Sequence, residues 1–299
     1  DRRGRLIPGG VNGAKGNNDM AEIVATIALS HAPGLTGWPE KATEEEQRNL
    51  KNGYAELGRL LRETKPDVIV GIANDHVLNL PIDSGINFCV GTASNWRGPA
   101  EWFKAWLNVP DYEVSGHRDL ARTIVRECDR KGLAMAFRDQ LLFDDNWSVP
   151  LYYLTPGYDI PLVPIHMNCV VPPVPSAQHC YQVGQTISDV IREHRPDGER
   201  VALMGTGGLS HDPGGPRYFQ VDEEFDRWFL ALLEEGDPDK VVSEMTFERM
   251  VAAGDGGTPE LLAWIAVMGA VGDRKARTIC YEPAVALRCG MGGVIWDMN

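Results

Sequence analysis

The sequence is poor in basic residues and lacks closely spaced cysteine pairs. Lysine and arginine number 29 against 42 aspartate and glutamate residues, and the formal net charge is −13. Nucleic acids and anionic membrane surfaces favour basic proteins, so neither is expected as a partner, and a small ligand fits better. The six cysteines form no CxxC motif, which argues against a zinc cluster and favours reduced thiols in a cytoplasmic protein.

Long apolar runs are also missing. No stretch approaches the roughly 18 residues of a membrane span, and the N-terminus has no hydrophobic signal core. The first 19 residues are rich in glycine and asparagine without periodicity, and we interpret 1–19 as a flexible tail. No linker or internal repeat divides the rest, so 20–299 is expected to be one domain.

From Met20 onward, Val- and Ile-rich runs alternate with longer amphipathic stretches, a pattern typical of α/β proteins. The strands are predicted at 22–30, 68–73, 86–90, 160–166 and 200–205. The helices are predicted at 43–64, 116–132, 177–194 and 222–236, the first with a capping box from Thr43 to Glu46. The expected architecture is a single α/β domain with a central mixed β-sheet flanked by helices.

Three of the predicted strands run into a histidine: His31, His76 and His211. In open α/β sheets, ligands bind beyond the carboxyl ends of the strands, so these side chains are expected to converge on an active site there. Imidazole binds divalent Fe, Zn, Mn or Ni, and two histidines with one carboxylate leave positions open for a substrate and a small molecule such as O₂. Spacing alone does not choose the acid; the candidates are Asp75, Glu244, Glu248 and Glu260.

Glu260 is the most suggestive of these acids, because it falls in the first turn of an apolar helix after a Gly- and Pro-marked entry. The alternative is a simple role in complementing the helix dipole. His211 lies between Gly-Gly and Pro-Gly-Gly, a flexible loop well suited to acid–base work. His166, at another strand end, is a reserve candidate for the pocket wall.

A tryptophan-bearing segment at 95–107 has the character of an insertion that folds over something. The alternative is that Trp96, Trp102 and Trp106 anchor a surface helix in the core.

Five motifs in order resemble the class III extradiol ring-cleavage dioxygenases, the family of the catalytic β subunit of protocatechuate 4,5-dioxygenase. They are "SHAPG", "NDH", "GGLSHDPGG", "GGTPELLAW" and "CGMGGVIW", and they span Met20 to about Trp296. The resemblance implies a non-haem Fe(II) held by His31, His76 and Glu260, with His211 as the acid–base residue. It also implies extradiol cleavage of a catecholic ring, as in aromatic catabolism, with both atoms of O₂ entering the product.

The sequence departs from the family where many members carry "DHG". Asp145 stands at that position, and we predict that Asp145, Asn146 and Trp147 contact the substrate. An acid there disfavours a nearby carboxylate, so a 2-aminophenol or a dihydroxypyridine is the alternative substrate. Two further alternatives are a zinc or manganese hydrolase and a non-enzymatic interaction protein of the same fold.

The resemblance also bears on partners. Protocatechuate enzymes of the family use a separate small lid subunit, whereas other relatives close the site alone. We expect a homo-oligomer, with cover from a lid subunit or from the segment at 95–107.

Overall fold

The computed structural model describes residues 20–298, so the predicted tail at 1–19 lies outside the described residues. The strands of this part are β1 (Glu22–Leu29), β2 (Val68–Asn74), β3 (Phe88–Gly91), β4 (Asn95–Gly98), β5 (Tyr112–Ser115), β6 (Ala136–Arg138), β7 (Leu162–Met167), β8 (Arg200–Thr206), β9 (Ala276–Glu282) and β10 (Met291–Trp296). The α-helices are α1 (Gly34–Gly37), α2 (Glu44–Glu63), α3 (Lys104–Leu107), α4 (Arg118–Arg130), α5 (Asp145–Leu154), α6 (Ala177–His194), α7 (Glu223–Glu235), α8 (Pro238–Glu244), α9 (Phe247–Ala253) and α10 (Leu262–Gly269).

The central element is an eight-stranded mixed sheet in the order β6-β3-β7-β2-β8-β1-β10-β9. Its middle strands, β7, β2, β8 and β1, are parallel to one another, whereas β3 and β10 run antiparallel to their inner neighbours. Every residue of β2 is buried, as expected for a strand covered on both faces. The predicted α/β class and the five predicted strands are confirmed.

Helices cover the two faces of the sheet and form two apolar layers. One layer includes α2 and α5, and the other includes α4, α6, α7 and α10. The predicted capping box is present at the start of α2, where Thr43 and Glu46 bond each other reciprocally. All eight residues of α10 are buried, which explains why it is apolar on every side. Within residues 20–298, the helices include none with the length and apolarity needed to cross a membrane.

The segment at 95–107 belongs to a second, two-stranded sheet, β4-β5. Strands β4 and β5 pair as an antiparallel hairpin that encloses a 3-10 helix (Glu101–Phe103) and α3. Trp96 is buried, but Trp102 and Trp106 are 61% and 45% exposed. The alternative that all three tryptophans anchor a helix in the core is therefore wrong for two of them.

Candidate active site

Three histidines lie at the carboxyl ends of three adjacent parallel strands. His31 follows β1, His76 follows β2 and His211 follows β8, and β8 lies between the other two in the sheet. The order of the strands, which the sequence leaves open, therefore brings the histidines to one edge of the sheet. This is the edge where ligands bind in open α/β proteins.

His31, His76 and Glu260 form what we call the ligand cluster. One donor atom from each lies within 4.8 Å of the others. The Nε2 atoms of His76 and His31 lie 3.1 and 3.4 Å from the two carboxylate oxygens of Glu260. The Nε2 of His31 is buried and has no hydrogen-bond partner. A buried, unpartnered imidazole nitrogen beside a carboxylate fits a divalent cation held by all three side chains.

The far side of each imidazole is fixed by a hydrogen bond. Nδ1 of His31 lies 2.9 Å from the Thr206 hydroxyl, and Nδ1 of His76 lies 2.9 Å from a carboxylate oxygen of Asp144. A carboxylate only accepts, so Nδ1 of His76 carries a proton, and Nε2 is the nitrogen that can bind a metal once it has lost its own proton. Such outer partners orient metal-binding histidines in known metal sites.

Glu260 is fixed by the backbone and by an amide. One carboxylate oxygen accepts from the Gly208 N–H at 2.9 Å, and the other accepts from the Asn74 side chain at 3.1 Å. Gly207 has φ +147, and a Cβ at this position would lie 2.6 Å from the Cβ of Glu260. Glycine is therefore required at 207 for the loop after β8 to approach Glu260 closely.

His211 faces the ligand cluster from the loop after β8. Its Nδ1 donates to the Leu209 carbonyl at 2.9 Å, which leaves Nε2 directed into the site, 3.7 Å from Glu260. A Cβ at Gly257 would lie 2.1 Å from this Nε2, so the absence of a side chain at 257 makes room for the ring. The arrangement suits a group that accepts or gives a proton at Nε2.

The charges of the site favour a cation. Burial lowers the pKa of His31 to about 4, so this imidazole is neutral and ready to bind a metal. Burial also lowers the pKa of His76, but the charges of Asp144 and Asp145 outweigh it and place that pKa well above 6.5. The negative charges that attract a proton to His76 also attract a divalent cation, which displaces that proton on binding.

Two more pKa shifts concern the neighbours of the cluster. Burial lowers the pKa of His211, but Cys289 and Glu260 outweigh it, so the pKa lies well above 6.5. Burial raises the pKa of Asp145 well above 3.8, and the nearby carboxylates of Asp144 and Glu260 add to the rise.

Of the three residues predicted to contact substrate, Asp145 lines the cavity next to the ligand cluster, with a carboxylate oxygen 3.4 Å from Nδ1 of His76. Asn146 and Trp147 follow it in α5 but are buried and do not line this cavity. Asn146 donates to the backbone carbonyl of Asn74. The helix turns these two side chains towards the core, so Asp145 is the one of the three that faces the cavity.

Trp147 and His166 form part of the support behind the site. The indole N–H of Trp147 donates to Nε2 of His166 at 2.9 Å, and Nδ1 of His166 lies 3.0 Å from a carboxylate oxygen of Asp75. His166 is fully buried and does not line the cavity. The idea that it forms part of the pocket wall is therefore wrong.

The cavity above the ligand cluster has a volume of about 240 Å³. Its more exposed side, which we call the outer wall, consists of Trp38, Phe103, Trp106, Tyr218 and Arg288. Two of these residues belong to the segment at 95–107, so that segment does cover the site.

Sequence reasoning assigned no role to Thr206, Asp144 or Arg288. Asp144 caps α5 as well as holding His76, and an aspartate just before a helix was the available signal. Thr206 and Arg288 carry no sequence signal of this kind, since only the fold brings Thr206 to His31 and Arg288 to the cavity.

A family model described as the catalytic LigB subunit of aromatic ring-opening dioxygenase matches residues 25–286. The chain belongs to this family. The match covers all four residues that the resemblance assigns to the metal and to acid–base work, and it confirms that resemblance.

Curated proteins similar to this LigB-family chain are named as ring dioxygenases. A 2,3-dihydroxyphenylpropionate/2,3-dihydroxicinnamic acid 1,2-dioxygenase of Photorhabdus laumondii is 29% identical over 210 residues, 70% of this chain and 62% of that protein. A gallate dioxygenase of Pseudomonas putida is 30% identical over 159 residues, 52% of this chain and 46% of that protein. The chain thus spans about half to six-tenths of the length of these two relatives.

A solved structure also resembles the LigB-family chain. The uncharacterized protein JW3007 from Escherichia coli K12 aligns with a TM-score of 0.59 at 15% identity, over 91% of this chain and 99% of that one. At this identity the likeness concerns the fold alone.

Proposed function

We propose that the chain is an Fe(II)-dependent extradiol dioxygenase that opens a catecholic ring and incorporates both atoms of O₂. The observation that carries the proposal is the unpartnered, buried Nε2 of His31 facing Glu260, with Nε2 of His76 on the same carboxylate. Two histidines and one carboxylate with open positions form the donor set typical of non-haem Fe(II) oxygenases. The names of the relatives, which refer to dihydroxy and gallate rings, support a substrate with adjacent hydroxyls.

In this proposal His31, His76 and Glu260 hold the iron. When bound, Fe(II) supplies Lewis acidity towards two adjacent ring oxygens and redox chemistry with O₂. His211 moves protons at Nε2: it accepts one as the substrate hydroxyl ionises and returns it to an oxygen atom later in the reaction. The Leu209 carbonyl keeps the other nitrogen protonated throughout, so Nε2 remains the reactive position.

The surroundings of the cluster assist in two ways. The aromatic residues of the outer wall pack against the ring and keep water from the site. Phe103 and Trp106 supply part of this cover from within the chain, which supports closure without a separate lid subunit. The homo-oligomer and the small lid subunit stay predictions.

The test is anaerobic purification with metal quantification, followed by oxygen uptake and absorbance scans with catechols and gallates. We expect about one iron per chain and one O₂ consumed per ring opened. Iron binding with every ring inert in a well-folded protein would contradict the proposed activity. Failure to bind iron would contradict the metal centre itself.

A second candidate substrate class is favoured by Asp145, whose carboxyl group lines the cavity. A carboxyl group next to the ring can bond an amino or ring N–H donor, so a 2-aminophenol or a dihydroxypyridine is the alternative. Asp145→His should then shift the preference from these rings towards catechols, measured as ratios of kcat/KM. An unchanged ratio would remove this candidate.

A further inference from the structure

Carboxyl groups and one cationic side chain line different parts of the cavity. Asp145 and Glu260 lie at the ligand cluster, whereas Arg288 belongs to the outer wall. Among the described residues that line this cavity, Arg288 is the only lysine or arginine. A ligand that extends from the ligand cluster to the outer wall therefore meets a permanent cation at the outer wall.

Arg288 is held in place by neutral aromatic partners. Its guanidinium carbon lies 4.6, 5.2 and 5.6 Å from the ring centres of Tyr218, Phe219 and Trp38, and one of its nitrogens donates to the Tyr218 hydroxyl. Of the ion pairs within residues 20–298, none includes Arg288. The guanidinium is thus oriented by stacking and keeps donors for an anion.

The backbone also constrains this side chain. Arg288 follows the short 3-10 helix Val285–Leu287 with φ +65 and ψ +24, the left-handed region that a non-glycine residue seldom adopts. Its neighbours Leu287 and Cys289 are buried and line the same cavity. The chain therefore enters and leaves Arg288 through fixed positions on the cavity wall.

We propose that Arg288 is a specificity-determining residue that binds a carboxylate on a side chain of the ring substrate, at the end remote from the metal-binding hydroxyls. A guanidinium pairs with a carboxylate through two parallel hydrogen bonds. The metal at the ligand cluster takes the two adjacent hydroxyls, so the substrate binds with its hydroxyls inward and its anionic side chain outward. This inference rests on the proposed function, because it assumes that the same cavity holds the ring.

The test compares a 3-alkylcatechol that ends in a carboxylate with its methyl ester, on the iron-loaded protein. Steady-state oxygen uptake gives kcat and KM, and anaerobic titration of tryptophan fluorescence gives Kd. We expect the acid to be preferred by about tenfold, the effect of one charge-assisted hydrogen bond. Added salt should reduce that preference, because Arg288 is partly exposed.

Arg288→Gln should weaken binding of the acid about tenfold, mainly in KM and Kd, and leave the ester and kcat nearly unchanged. Arg288→Lys, which keeps the charge, should recover part of the loss. The matched control is Arg249→Gln, because Arg249 also stacks on an aromatic ring, 4.8 Å from the Trp228 centre, but does not line the cavity. It should behave like the unchanged protein with both ligands.

Equal affinity of the unchanged protein for acid and ester would overturn the inference. So would an equal loss for both ligands in Arg288→Gln, which indicates general damage to the cavity. Failure of the proposed function has a different signature: neither compound is turned over, while the fluorescence titration still reports whether Arg288 discriminates between them.

Discussion

The ligand cluster and the outer wall line the same cavity, but different elements hold them. His31 and His76 lie just past the ends of buried strands, and each imidazole is fixed on its far side by a hydrogen bond. Trp38 and Trp106 come from loops and short helices and stack on each other with ring centres 5.4 Å apart. One side of the cavity is fixed by directional bonds and the other by stacking.

This difference separates the two tasks of the site. Metal binding requires donor atoms held to a fraction of an ångström, which strand ends and second hydrogen bonds provide. Recognition of a ring requires area and shape, which stacked aromatic side chains on loops provide and can change with little effect on the sheet. Substitutions on the two sides should therefore have different effects. Those in the ligand cluster should reduce metal content and activity, and those in the outer wall should mainly raise KM.

The largest effect is expected from Glu260→Gln. Glutamine keeps the size of the side chain but removes the charge that balances a divalent cation, so iron content and activity should both fall by more than about 100-fold. Metal quantification after anaerobic loading and oxygen uptake measure the two losses. Full iron content in the folded variant would show that Glu260 is not a ligand.

His211→Gln should lower kcat by roughly 10²- to 10⁴-fold, the range for loss of a general acid–base group. The iron content should stay unchanged, because the cation is held by the other three side chains. The pH profile of kcat should also lose the limb that reports this histidine. A parallel loss of iron would place His211 in the ligand cluster instead.

Asp226 tests the support of the loop that carries His211. It accepts hydrogen bonds from the Ser210 N–H and hydroxyl and from the Tyr281 hydroxyl, and burial raises its pKa from 3.8 to about 6. A carboxyl group with a raised pKa stabilises the fold fully below about pH 3.8, and this contribution is lost as the pH rises through 6. At about 1.36 kcal/mol per pKa unit, the loss is roughly 3 kcal/mol.

Asp226→Asn stays neutral, so its stability relative to the unchanged protein should rise between pH 4 and pH 7. Urea unfolding of both proteins across this range gives the difference in unfolding free energy. A difference that does not change with pH would contradict the assignment of the raised pKa to Asp226.

The smallest effect is expected on the outer wall. Trp106→Ala should raise KM a few-fold with little change in kcat, because it removes apolar contact with the ring but touches no ligand of the metal. Trp102→Ala is the matched control, since Trp102 lies in the same segment, is 61% exposed and does not line the cavity. If both variants have the same KM as the unchanged protein, the segment does not contact the substrate.

The sequence predicted the strands that are buried on both faces, because a continuous apolar run that stops at a polar residue has few other interpretations. It also located His31 and His76, because they are the polar residues at which two of these apolar runs stop. It did not predict β9 and β10, since β9 is only partly buried and β10 contains Gly292 and Gly293, which weaken a strand pattern.

Within the site, the residues without a predicted role are those that only tertiary structure brings to the histidines or to the cavity. Arg288 is an ordinary polar residue in the sequence, and its position depends on a left-handed turn that no local rule requires of arginine. Asn146 and Trp147 show the converse error. They are neighbours of Asp145 in the chain, but a helix rotates successive side chains by about 100°, so proximity in sequence did not become a shared face.

The three residues of the ligand cluster come from widely separated parts of the chain: His31 from near its beginning, His76 from its first third and Glu260 from near its end. A cation bound to all three is a cross-link between these parts, and it favours the folded state by mass action. Under the proposed function, the free metal concentration therefore affects the stability of the fold as well as the activity. A chelator lowers the free metal concentration, so it should also lower the Tm of the protein. The Tm should fall steadily as the logarithm of the free metal concentration falls.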